Sequence, residues 1–380
     1  MIYLDNAATT RLDDEVLAAM LPYLKNEYGN SQSQHALGRA AAEALVCARD
    51  EMAARLGCDS GELYFVSGGT EAGNSALKGV CLARGKGHIL VSAIEHPSVI
   101  QSAKDMGKLG FEVEFIMPDS RGVILPESVR RAIRDDTVFC AVMAANNETG
   151  VIQPVREIGE ICKSRGVFYY ADCVQAVCTQ EIKADFCDGL GISAHKFYGP
   201  KGAGALYIKS GNGISPLISG GRQEKGLRGG TVNVAAVVGM AAAFKKICQN
   251  KAVYNQSVAQ IRDYFVNRAL TEIEGTHLNG GGEVLPTHAN LSFDGCAGEI
   301  LLVALDLNGV AVSTGSACSA GATEPSHVLT AMGLPVERVR SAVRFSFGRH
   351  NVIKEAEAAF EILKTAVNKI RGKCALPIGN

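Results

Sequence analysis

Gly189-Leu190-Gly191-Ile192-Ser193-Ala194-His195-Lys196-Phe197-Tyr198-Gly199-Pro200-Lys201-Gly202 reads as a short apolar strand that gives way at once to polar residues and a Gly-Pro turn. Small and branched residues bounded by turn formers suit a strand covered on both faces. Lys196 would then stand just past the carboxyl end of that strand. Burial there lowers an amine's pKa and supplies a neutral nucleophile, so Lys196 is a candidate for a Schiff base. A His-Lys pair by itself is ordinary structure, and its weight comes from the pattern around it.

That pattern is an alternation. Strands are predicted over residues 63–66, 89–92, 112–116, 138–143, 167–171, 189–193 and 205–208. Amphipathic segments at 70–83, 97–109, 126–134 and 155–165 separate several of them, and this rhythm of strand and helix predicts βαβ units in a mostly parallel sheet. Ligands of such sheets bind in loops at the carboxyl ends of strands. A long helix is expected over 232–248 and a separate charged helix over 253–274. Beyond them, strands at 289–293, 310–313 and 343–347 with helices at 298–307 and 352–370 predict a smaller α+β domain. The expected division is a large domain of residues 13–251, with residues 1–12 joining 252–380 in the small one.

The net charge of −1 comes from 38 basic and 39 acidic residues without long blocks, which argues against nucleic acid or an anionic membrane as partner. No stretch approaches the roughly 20 apolar residues that a bilayer span needs. The start, Met1-Ile2-Tyr3-Leu4-Asp5-Asn6, has no signal-peptide pattern, so a cytoplasmic location is expected. The 12 cysteines include no Cys-x-x-Cys pair, so neither a zinc site nor a disulfide framework is expected. Most should be small buried hydrophobes.

Polar clusters fall where the strands end. Ser67-Gly68-Gly69-Thr70-Glu71 closes a strand and opens a helix, a place suited to an anion or to a plain turn with Thr70 as N-cap. Glu95-His96-Pro97 follows the next strand, and a histidine there can stack on a planar ring or move a proton. Asn146-Asn147-Glu148-Thr149-Gly150 is compatible with ordinary turn chemistry. Asp172, in Tyr170-Ala171-Asp172-Cys173-Val174-Gln175, ends an apolar strand and needs a cation if buried. A protonated pyridine nitrogen is one such cation; a salt bridge or a helix cap is the bland alternative. Ser193 and His195 can add donors to a phosphate. Arg228-Gly229-Gly230-Thr231, opening the long helix, offers another anion site. Arg344, in Val343-Arg344-Phe345-Ser346, has the planar fork that suits a carboxylate, although a lone arginine there would read as a structural ion pair. In Ser313-Thr314-Gly315-Ser316-Ala317-Cys318-Ser319-Ala320-Gly321 a cysteine sits among small residues, which predicts an exposed, flexible tether for a reactive thiolate.

In this order the motifs resemble the cysteine desulfurases, pyridoxal-phosphate enzymes of the class V aminotransferase family, housekeeping and nitrogen-fixation branch. The match begins with Leu4-Asp5-Asn6-Ala7-Ala8-Thr9-Thr10 and runs to Val343-Arg344-Phe345-Ser346. The resemblance implies the type I fold of pyridoxal-phosphate transferases and a homodimer. It makes Lys196 the residue that joins the cofactor and later moves the substrate's α-proton. Asp172 would hold the ring nitrogen, Gln175 the ring hydroxyl oxygen, and His96 would stack on the ring and act in proton transfer. Gly69, Thr70, Ser193 and His195 would grip the phosphate, and Thr231 would reach a neighbouring subunit's phosphate. Asn147 and Arg344 would position the cofactor and the substrate carboxylate.

The implied reaction takes sulfur from L-cysteine, leaves L-alanine, and loads Cys318 as a persulfide for an iron–sulfur scaffold or a tRNA-thiolation enzyme. Selenocysteine lyase and another class V aminotransferase are the rival readings. Cys173 and Cys178 stand where small residues are usual, which would place a second thiol near the cofactor.

Overall fold

In the computed structural model of the chain, residues 1–314 and 325–374 are described. The chain opens with β1 (Ile2–Tyr3), α1 (Asp14–Lys25) and α2 (Ala36–Leu56). The Asp13 carboxylate starts α1 by accepting from the amides of Glu15 and Val16. Gly57, left-handed at φ 69°, ends α2.

The alternation read from the sequence follows: β2 (Leu63–Val66), α3 (Gly69–Arg84), β3 (His88–Ser92), α4 (Pro97–Lys108), β4 (Glu112–Ile116), α5 (Pro126–Ala132), β5 (Thr137–Ala141), α6 (Val155–Ser164), β6 (Phe168–Asp172), β7 (Gly189–Ser193) and β8 (Gly204–Ile208). These seven strands form one sheet in the order β2-β8-β7-β6-β5-β3-β4. Only β8 runs antiparallel to its neighbours, so the sheet is mostly parallel, as expected. Side chains alternate between two apolar layers. Leu90, Tyr169 and Ile192 face one layer, while Val91, Phe168 and Tyr170 face the other. A sheet covered on both faces explains why these strands read as continuous apolar runs.

Next comes α7 (Val234–Glu272), a single helix of 39 residues. Two helices were expected, with a break at Gln249-Asn250-Lys251-Ala252. The break does not occur because this polar run contains neither Gly nor Pro, and its side chains bond without interrupting the backbone. Asn250 Nδ2 donates to Lys246 O at 2.8 Å, Asn255 Nδ2 donates to Thr179 O at 2.8 Å, and Lys251 Nζ reaches Gln180 O. Buried Ile247, Tyr254 and Val258 carry the apolar face through the same stretch.

The remainder comprises β9 (Thr276–Asn279), β10 (His288–Phe293), α8 (Gly298–Leu307), β11 (Val310–Ala311), α9 (His327–Ala331), α10 (Val336–Arg340), β12 (Ala342–Ser346) and α11 (Ile353–Cys374). An antiparallel sheet of order β12-β10-β9 packs on α7 and α11 through Phe265, Phe345, Phe347 and Phe360. β1 pairs in parallel with β11, and Asp5 bridges to Ser346. The first residues of the chain are therefore stitched to its C-terminal part.

Candidate active site

Lys196 ends a single turn, Ala194–Lys196, directly after β7. Its Nζ donates to Ala7 O at 2.6 Å and to Ala8 O at 2.8 Å. Two residues on, Tyr198 is held at φ 67°, a conformation that costs a β-carbon-bearing residue about 1–3 kcal/mol. Thr10 and Asp13 hold it there: Tyr198 N donates to Thr10 Oγ1 at 2.7 Å, and Asp13 N donates to Tyr198 O at 3.1 Å. The N-terminal segment thus fixes the lysine turn from outside the sheet.

Asp172 is the last residue of β6, paired with Gly191 on β7, and is buried. Its Oδ1 accepts from Val174 N at 2.9 Å. Burial pushes its carboxyl up to about 6, against the opposing pull of the Val174 amide and the Lys196 charge. Among the described residues no cation lies within ion-pair distance of it. Glu95 is more deeply enclosed: burial pushes it up to about 8, opposed by the Ser92 hydroxyl and the Met143 amide and assisted by Asp172.

His96 caps α4 with Pro97 in the first helical position, and its Nδ1 accepts from Ser98 N at 3.2 Å. Burial, then the charges of Lys196 and His327, push its pKa down to about 4, so the ring is neutral. His195 is pushed down to about 4 by burial and by Lys196 and Lys201, and its Nδ1 lies 3.2 Å from Thr9 Oγ1. The charge on Lys196 acts on His96, Asp172 and His195 alike, so all three lie near the amine.

At the Gly68-Gly69 turn the backbone approaches its neighbours closely. A Cβ on Gly69 would meet Val174 Cγ2 at 2.7 Å, and one on Gly68 would lie 3.4 Å from Ser193 Oγ. Gly68, not Thr70, is the N-cap, so Thr70 lies in the first turn and is exposed. Amides of a first helical turn have no acceptor within their own helix. Here they open beside Ser193, an arrangement that suits an anion.

The Arg228–Thr231 cluster differs from its expectation. The long helix begins later, at Val234, and Asn233 caps it by accepting from Ala236 N. Arg228 is engaged with Glu71, Nε to Oε1 at 2.9 Å, while Glu71 also accepts from Ser67 N at 2.8 Å. Arg228 therefore braces the Gly68 turn. Thr231 is exposed ahead of the helix.

Gln175 Nε2 donates to Ala7 O at 3.0 Å. Asn146 is buried and works as a local staple: its Nδ2 donates to Ile94 O, and its Oδ1 accepts from the amides of Glu148 and Thr149, each at 2.9 Å. Asn147 Oδ1 is buried with no partner among the described residues, and the Asn147 carbonyl accepts from Arg344 Nη1 at 2.8 Å. Arg344 is buried and pairs with Asp5 at 2.9 Å, and its Nε has no partner among the described residues.

Cys318 lies outside the described residues. The chain on either side of its segment is anchored at this site. Ser313 bridges to Arg344, Ser326 Oγ donates to Glu148 Oε2, and His327 Nε2 lies 3.0 Å from Glu95 O. Of the other cysteines, Cys173 and Cys178 are buried; the Cys178 thiol is pushed up to about 12 by burial and donates to Lys196 O at 3.1 Å. Cys47 is exposed, an exception to the burial expected of most cysteines.

Asp5, Ala7, Ala8, Glu95, Ser326 and His327 carry parts of this arrangement that the sequence reading left without a role. A carboxylate directly after an apolar strand was a usable signal for Glu95, whereas the contacts of Asp5 and His327 are tertiary.

The aminotransferase class-V family matches residues 2–358. Cysteine desulfurase IscS of Dictyoglomus turgidum is 42% identical over 376 residues, spanning 97% of this chain and 95% of its own. Cysteine desulfurase IscS of Methanosarcina thermophila is 41% identical over 380 residues, spanning 99% of this chain and 94% of its own. Among solved structures, a NifS-like protein superposes with a TM-score of 0.91 at 34% identity, covering 97% of this chain and 99% of that one.

Proposed function

The chain belongs to the aminotransferase class-V family, and we propose that Lys196, His96 and Cys318 carry its reaction, the removal of sulfur from L-cysteine. It is a pyridoxal-phosphate-dependent cysteine desulfurase. The observation that carries the assignment of residues is Asp172: a buried carboxylate with no cation within ion-pair distance among the described residues, on the strand beside the one that delivers Lys196. A protonated ring nitrogen supplies the missing charge. The Gly68–Thr70 turn with Ser193 and His195 suits the phosphate, Gln175 the ring oxygen, and neutral His96 a stacked ring.

When bound, pyridoxal phosphate supplies an electron sink that makes the α-proton of the amino acid acidic and its sulfur a better leaving group. Lys196 Nζ takes and returns that proton, and Ala7 O and Ala8 O fix the direction of its lone pair. Arg344 and Asn147 receive the substrate carboxylate. The Cys318 thiolate attacks the substrate sulfur; an S–S bond forms as the C–S bond breaks. The electron pair stays with the substrate carbon, which gains a proton to become alanine, and Cys318 is left as a persulfide. A reductant or an acceptor protein then removes the sulfur.

The enzyme is read as a homodimer in which exposed Thr231 serves the neighbouring subunit's phosphate. Its acceptor is read as an iron–sulfur scaffold or a tRNA-thiolation enzyme, and its location as the cytoplasm. Among the described residues no helix is long and apolar enough to cross a membrane. Residues 13–251 are read as the cofactor-binding unit and 1–12 with 252–380 as the small unit, with α7 running unbroken between them. The pairing of β1 with β11 supports assigning the N-terminus to the small unit.

The test is incubation of the purified holoenzyme with L-cysteine and dithiothreitol. Equal amounts of alanine and sulfide are expected, lost in Lys196→Ala and in Cys318→Ser. Sulfide with pyruvate in place of alanine, or full turnover by Cys318→Ser, would overturn the reading.

A further inference from the structure

We infer that Asp5 is a positioning residue for the substrate carboxylate, holding the Arg344 guanidinium where the carboxylate of the amino acid is received. The inference rests on the assignment of Arg344 above and adds to it a residue that has no other role in the site.

Arg344 is buried, and its charge needs a fixed counter-ion. Among the described residues Asp5 is its one ion-pair partner, through Oδ1 to Nη2 at 2.9 Å. The Asn147 carbonyl takes Nη1 at 2.8 Å. Two of the three guanidinium nitrogens are therefore tied down, which sets the plane of the fork, while the buried Nε–H has no acceptor among the described residues. A buried donor left unfilled by the protein is a place for a ligand atom, and an arginine fork with a free edge suits a carboxylate oxygen.

Asp5 is itself rigid. Its neighbours are laced to β12, the strand that bears Arg344: Asn6 N donates to Ser346 O at 3.2 Å and Ala7 N to Ser346 Oγ at 2.8 Å. Leu4 is fully buried beside it. The same segment supplies Ala7 O and Ala8 O to the Lys196 amine. Asp5, Ala7 and Ala8, on one short strap, thus fix the guanidinium at one end and the amine at the other. The α-carbon of an amino acid carries both the carboxylate and the proton that Lys196 takes, so the spacing between Lys196 and Arg344 decides whether both are engaged at once. Asp5 sets the Arg344 end of that spacing.

The experiment compares holoenzyme Asp5→Ala and Asp5→Asn with wild type, after confirming equal cofactor content by absorbance. Binding of L-alanine is titrated through the cofactor spectrum, and binding of cysteamine, which has an amine and a thiol but no carboxylate, is titrated alongside. Asp5→Ala is expected to weaken L-alanine, and to raise KM for L-cysteine, by on the order of tenfold, the loss of one charge-assisted contact. Its kcat should change far less, and its cysteamine affinity should stay near wild type. Asp5→Asn keeps an oxygen for Nη2 and is expected to recover most of the L-alanine affinity. Unchanged L-alanine affinity in Asp5→Ala, tighter binding in both variants, or an equal loss for cysteamine would overturn the inference. Should wild type make no alanine from L-cysteine, the desulfurase reading falls, while the contrast between L-alanine and cysteamine still decides the role of Asp5.

Discussion

Replacing Glu95 with glutamine should remove a pH-dependent loss of stability whose size follows from the site. Glu95 Oε1 accepts from Ser92 Oγ at 2.7 Å and from Met143 N at 2.6 Å, while Oε2 is buried without a partner. Burial raises its carboxyl from an ordinary 4.5 to about 8. Because the folded value lies above the unfolded one, the contribution to stability is whole below about pH 4.5 and is lost as pH rises towards 8 and beyond. Between pH 6 and 9 the unfolded chain holds this carboxylate ionised throughout, whereas the folded chain gives up its proton near pH 8. At ~1.4 kcal/mol per pH unit over roughly two units, wild type loses on the order of 3 kcal/mol from this group. Glutamine accepts the same two hydrogen bonds and never ionises. The stability of Glu95→Gln relative to wild type should therefore rise by on the order of 3 kcal/mol from pH 6 to 9. Urea unfolding of the cofactor-free proteins at both pH values measures this, and titrating groups common to the two proteins cancel in the difference. A gap that stays constant would refute the reasoning and mean that Glu95 keeps one charge state across the range. The outcome bears on chemistry, because a neutral Glu95 leaves Asp172 as the carboxylate available to a ring nitrogen.

Other consequences can be checked separately. Gly69→Ala would drive a methyl into Val174 Cγ2 at 2.7 Å, so affinity for pyridoxal phosphate should fall, and Gly69→Ala with Val174→Ala should recover part of it in a cofactor titration. Glu224, buried at the sheet edge, accepts from Arg49 Nη1 and Nη2 and from Phe65 N. Glu224→Ala leaves that guanidinium unpaired and should cost about 3–5 kcal/mol in urea unfolding, whereas a loss below ~1 kcal/mol would mean that water replaces the carboxylate.

The sheet was legible because period and burial agree in it. Strands covered on both faces leave unbroken apolar runs such as Phe168 to Ala171, and the turn residues after them mark where Asp172 and Lys196 emerge. The course of α7 was not legible: Gln249 to Ala252 reads as a break when polarity alone is weighed, but only Gly, Pro or a competing cap would have ended the helix. At the site, residue types pointed to Lys196, Asp172 and His96, each with one evident chemistry at or just past a strand end, and to Arg344 among the apolar residues of β12. What engages them did not show. The bond from Asp5 to Arg344 spans almost the whole chain, and the capture of Arg228 by Glu71 depends on how the 209–233 loop lies over α3. Contacts between distant segments leave no periodicity to read.

The covalent attachment of the cofactor is the point on which the account turns. The yellow holoenzyme, reduced with borohydride, digested and mapped by mass spectrometry, should carry its pyridoxyl label on the peptide containing Lys196 alone. A label on another lysine, or none in a protein that nonetheless makes alanine from L-cysteine, would contradict it.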